Sequence, residues 1–142
     1  MSALDEELAA LEAEDQADGI ALEAARVEQA KVDRIAYLKL KKQHGDHKVG
    51  VLRLDCYKPG FPTLVVVSAL DAQGHKRFEE MAASPSKEKR RQAIRCAVSD
   101  SLLYPSESVF AAMVAEFQDL PGTVALEAVK LSKAKASEEG KG

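Results

Sequence analysis

The sequence predicts a mainly helical α+β protein: an N-terminal helical arm, a small β-hairpin, then a bundle of four short helices. Three observations carry this prediction. Apolar residues recur at spacings of three and four towards both ends of the chain, the period of one helix face. In the middle, Thr63-Leu64-Val65-Val66-Val67-Ser68 is a β-branched run that favours a strand, preceded by the turn signal Lys58-Pro59-Gly60-Phe61-Pro62. Further on, Pro105 and Pro121-Gly122 cut the C-terminal part into helices too short to be stable alone. These breaks define a helical arm over 1–44, acidic then basic, a domain over 45–134 and a disordered tail over 135–142.

In the arm, Leu4, Leu8 and Leu11 form a thin apolar stripe at heptad-like spacing. Gly19 interrupts the pattern at a cost of about 1 kcal/mol relative to alanine. A second helix then reads through Ile20, Ala24, Val27, Ile35 and Leu38 to Lys41-Lys42, before Gly45. Acids at its start and lysines at its end suit the helix dipole. The first segment reads as dispensable for folding, ordering on a partner.

Beyond Gly45, Val49, Val51, Leu52, Leu54 and Cys56 come close to alternating with polar residues, as a strand does. With the Thr63–Ser68 run they make a hairpin. Two strands alone are marginal in water, so the pair must lie on helices or join strands from another copy. A short helix follows over His75–Ala83, and Ser84-Pro85 signals the start of another from Lys87 to about Leu103. Pro105 disfavours helix at Tyr104, and Ser106 suits the start of the next. There Val109, Phe110, Met113, Val114 and Phe117 share one face. Ala125, Leu126, Val129 and Leu131 form the last helix. Tyr104 and Phe117 are expected to be buried where these helices meet.

Composition bounds the rest. A chain of 142 residues is one domain by length, and with 5% aromatics and no tryptophan its core is small, built of Leu, Val and Ala. No apolar run approaches the length of about 18 residues that a membrane span needs. The N-terminus is acidic and lacks the basic region of a secretory signal. Cys56 and Cys96 have no motif spacing, so two reduced, half-buried thiols in the cytosol are expected.

The net charge of −3 conceals a segregation. Residues 1–28 carry nine acids against Arg26 alone, a net of −8, while residues 31–95 carry fifteen basic and seven acidic side chains, a net of +8. Such asymmetry is a statement about interactions rather than fold. It suggests that the acidic arm folds back on the basic middle or pairs with that of another copy. Lys87, Lys89, Arg90, Arg91 and Arg95 crowd the start of a helix, where the dipole disfavours cations, which hints at a partner.

Catalytic signals are absent. His44-x-x-His47 is at most half a metal site, since a structural zinc site takes four placed ligands. No Gly-rich loop reads as a phosphate cradle and no nucleophile motif is present. The basic run lacks interleaved aromatics and the chain is acidic overall, which argues against nucleic acid. The chain reads as a non-enzyme with no cofactor.

Leu102-Leu103-Tyr104-Pro105, Phe110, Phe117, Leu120-Pro121-Gly122 and an alanine-rich last helix ending Leu131-Ser132 resemble the tail assembly chaperones of long-tailed bacteriophages. In that family a helix ends at a valine- or leucine-tyrosine-proline step, and a proline-glycine corner precedes the last helix. The resemblance spans residues 48–134 and is best from 98 on; the acidic arm lies outside it.

The resemblance implies a non-catalytic role in the host bacterial cytoplasm: holding the apolar tape-measure protein soluble while tail-tube subunits are recruited. It also implies absence from the finished particle and, in many members, a second form made by frameshifting near the end of the short one. A holdase for a long helical client must repeat its apolar grooves, which favours weak self-association. Phe110, Met113, Phe117 and Leu120 are the candidate client-binding residues, with plain core packing as their alternative role, and Lys87, Arg90 and Arg91 are the candidate charged contacts. Two other roles fit the same sequence: a tail or neck component retained in the particle, and a basic-patch nucleic-acid adaptor.

Overall fold

A computed structural model of the chain describes residues 2–55 and 57–141, with side chains described as far as Lys133. Its first helix, α1 (Ala3–His44), is 42 residues long, about 63 Å at 1.5 Å per residue. Ser2 and Asp5 close a capping box at its start, and Gly45, at φ +94°, ends it. The break expected at Gly19 is absent. Gly19 faces open space, and the alanines, leucines and glutamates around it outweigh its single unfavourable term.

A 3₁₀ turn leads into β1 (Val49–Arg53), which pairs antiparallel with β2 (Leu64–Ser68). The turn between them places Gly60 at φ +91°, a conformation that glycine adopts without strain. Lys58 pairs with Glu116 at 2.5 Å, tying this turn to the end of α4 (Glu107–Glu116). A third strand, β3 (Leu102–Tyr104), pairs with the other edge of β2, giving the order β1-β2-β3. The sequence places Leu102 and Leu103 at the end of a helix that stops before Tyr104. In the fold, α3 (Lys87–Ser101) stops two residues short of Leu103, Pro105 favouring extended backbone at Tyr104 and the free edge of β2 taking up the backbone bonds of Leu102–Tyr104. The Tyr104–Pro105 peptide is cis.

The hairpin therefore lies on helices and gains its third strand from its own chain. Leu64, Val65, Val66 and Val67 are all buried, so β2 is covered on both faces, which is why it reads as a continuous apolar run. On one face, Val49, Leu64 and Val66 pack with Tyr37 and Leu40 of α1. On the other, Val65 and Val67 pack with Phe110 and Met113 of α4 and with Leu120 and Val124 of α5 (Leu120–Lys141). α5 crosses β1 so closely that a Cβ on Gly50 would lie 2.9 Å from Leu131 Cδ1. Beside them, Leu70, Ala97, Ala125, Ala128 and Val129 join α3 to α5, with Phe78 of α2 (Ala72–Ala82) against them.

The caps follow from the sequence. Asp71 accepts from the Gly74 N–H, Ser86 from that of Lys89 and Ser106 from that of Val109. Pro121 sits in the first turn of α5, where no N–H is needed. Instead of the disordered tail expected over 135–142, the α5 backbone continues helical to Lys141. Ala134, Lys135, Ala136, Glu138 and Glu139 are strong helix formers that extend an existing nucleus. Gly142 lies outside the described residues, as does Cys56; Cys96 is free and half-buried.

Candidate functional site

The feature that sets the functional surface is how α1 is held. Asp33 is 0% exposed and accepts hydrogen bonds from the Thr63 N–H and the Thr63 hydroxyl, both at 2.6 Å. It accepts two more, from the Tyr104 hydroxyl and, at 2.9 Å, from Gln29 Nε2. One carboxyl thus joins α1 to the start of β2 and the end of β3. Burial, and then the hydrogen bond and charge of Asp33, hold the Tyr104 hydroxyl well above the usual tyrosine range. The Tyr37 ring packs on the sheet beside this pin, with the Arg34 and Lys41 cations 5.7 and 5.8 Å from its centroid.

Only the C-terminal third of α1 is held in this way. Residues 3–28 project past the domain for about 39 Å and are exposed throughout. At roughly 100° per residue, the face that docks through Asp33, Tyr37 and Leu40 continues along this projection as Leu22, Leu11, Leu8 and Leu4. The far side carries Ile20, Val27, Ile35 and Leu38. The arm is not uniformly acidic: Arg26 grips Glu23 at 2.6 Å, and that hydrogen bond holds the Glu23 carboxyl below its usual range.

The sequence-derived candidates divide. Phe110, Met113 and Leu120 are buried core residues against β2, 6%, 0% and 6% exposed, the apolar spacing having marked the face turned inward. Phe117 is half-buried, its ring edge-on to Phe61 at 6.3 Å. Tyr104, expected to be buried, is likewise half-buried, and it lies on the α1 side of the sheet. Lys87, Arg90 and Arg91 are exposed on the first turns of α3. The basic side of α3 borders two shallow apolar grooves. One of about 390 Å³ has Phe78, Ile94, Ala125 and Leu126 with Arg90; the next, of about 510 Å³, has Val98, Leu102 and Phe110 with Arg95.

Two features lay beyond the sequence reading. An isolated aspartate in a charged helix gives no sign that it will be the acceptor for Thr63 and Tyr104. The stripe Ile20, Val27, Ile35, Leu38 has the period of a core face, yet the docking face is the one through Asp33 and Tyr37. Among the described residues no helix is long and apolar enough to cross a membrane. No protein-family model, curated protein or solved structure matches the chain.

Proposed function

We propose that this chain is a non-catalytic tail assembly chaperone of a long-tailed bacteriophage, which holds the tape-measure protein soluble in the host cytoplasm while tail-tube subunits are recruited. The observation that supports this reading is the undocked side of α1. Ile20, Val27, Ile35 and Leu38 stand 68%, 40%, 54% and 41% exposed along one helix. An extended apolar helix face is what a holdase for a long helical client needs, because burial of apolar area does not depend on reading any one client sequence. On this reading the client lies on α1, away from the buried Phe110, Met113 and Leu120. The motifs that resemble those of the chaperone family, Leu102 to Pro105 and Leu120 to Gly122, build the β3 edge beside α1 and the start of α5 on the opposite face of the sheet.

Co-expression with the tape-measure protein encoded beside it tests the reading. The expected result is a client moved into the soluble fraction, in a complex that moderate salt weakens only slightly, since screening acts on exposed charges. Val27→Asp with Ile35→Asp should return the client to the pellet. A client insoluble at every ratio overturns the proposal, as does finding this chain in purified particles by mass spectrometry.

A further inference from the structure

The other face of the projecting arm has a different complement. Leu4, Leu8 and Leu11 are 77%, 56% and 55% exposed. At heptad spacing Asp5 and Glu12 flank this seam on one side and Glu7 and Glu14 on the other. Two such arms laid together, parallel or antiparallel, would set acids against acids at every flanking position, which is repulsive. The seam therefore fits an apolar surface with a basic rim. Outside α1, the one large apolar side chain that stands exposed among the described residues is Leu126, at 67%. It borders the groove of Ile94 and Ala125, with Arg90 at its edge; Arg95, on the next groove along α3, is already paired with Glu88 at 2.9 Å. Lys87 and Arg91, on the same side of α3 as Ile94 at roughly 100° per residue, extend the basic rim, on helix turns whose dipole disfavours cations and would favour an acidic neighbour.

We infer that the first turns of α1 of one copy dock, leucines down, in the apolar trough between α3 and α5 of a second copy, over Ile94, Ala125 and Leu126 with Arg90 at its edge. The chain cannot satisfy itself in this way. α1 lies on the Leu64 and Val66 face of the sheet, whereas the core beneath the trough lies on the Val65 and Val67 face, and α1 is one continuous helix pinned at Asp33. An arm in a partner's trough is answered either by the partner's arm in the first copy's trough, a closed symmetric pair, or by a further copy, a ring or open chain. The inference uses a different face of α1 from the proposed client surface and stands without the chaperone reading.

Three full-length proteins test it by sedimentation velocity at low salt: the parent, an arm variant (Leu8→Asp with Leu11→Asp) and a trough variant (Arg90→Glu with Leu126→Asp). All four substituted side chains are exposed. The parent is expected to assemble to a dimer or beyond as concentration rises, with assembly falling at high salt. Each variant alone is expected to be monomeric, and their equimolar mixture to form a 1:1 heterodimer that grows no further. Recovery on mixing shows that both variants are folded. A parent that stays monomeric, a trough variant that assembles like the parent, or a mixture that remains monomeric overturns the inference.

Discussion

Replacing Asp33 by alanine removes the acceptor that holds α1 to the sheet, and its cost can be worked from the four bonds lost. The Thr63 N–H has Asp33 as its acceptor at 2.6 Å at the start of a buried strand; left unpaired, such a donor costs about 1–3 kcal/mol. The Thr63 and Tyr104 side chains are half-buried, so their hydroxyls can turn towards water, losing at most about 0.5–1.5 kcal/mol each. Gln29, also half-buried, loses little for the same reason. The expected destabilisation is about 2–4 kcal/mol, a large part of the 5–15 kcal/mol typical of a domain. Asp33→Asn should fall between the parent and alanine, because its amide keeps one acceptor oxygen but turns a donor towards other donors. Urea unfolding followed by far-UV circular dichroism measures both. If Asp33→Ala stays within about 0.5 kcal/mol of the parent, Tyr37 and Leu40 hold the helix by packing alone and the pin is not what anchors it.

Met113→Ala, at a site with no exposure, should cost about 2–5 kcal/mol, whereas Phe117→Ala, half-buried on Phe61, should cost roughly 1.5–3 kcal/mol; equal midpoints for the two variants would contradict the burial difference. Deleting residues 2–18 should leave the urea midpoint of the remaining chain nearly unchanged, because these residues are exposed; loss of cooperative unfolding would place Leu4, Leu8 and Leu11 in the core. The raised Tyr104 hydroxyl contributes stability that is complete below the ordinary tyrosine value of about 10 and is lost as pH rises above it, because the unfolded chain then releases a proton that the folded chain retains. Tyr104→Phe should accordingly show a shallower loss of stability between pH values of about 9.5 and 11 than the parent, and parallel curves would refute the assignment.

Local chemistry determined much of this protein by itself. The helical arm, the strand at 64–68, the turn at Gly60, the caps at Ser106 and Asp71 and the breaks at Pro105 and Pro121 each depend on a few neighbouring residues, and a chain carries that information wherever it folds. The charge segregation was equally legible, since it is a property of composition. Tertiary structure decided what each apolar stripe faces. The stripe Phe110, Met113 and Leu120 became core because β2 presents Val65 and Val67 to it, while Ile20, Val27, Ile35 and Leu38, with the same period, stayed exposed because the buried carboxyl of Asp33 turned the opposite side of α1 to the sheet. Likewise Leu102 to Tyr104 became a strand once an open edge of β2 lay within reach to accept its backbone bonds. Periodicity states that a face is apolar; only the partner brought to it through space decides whether that face is buried or left free to bind.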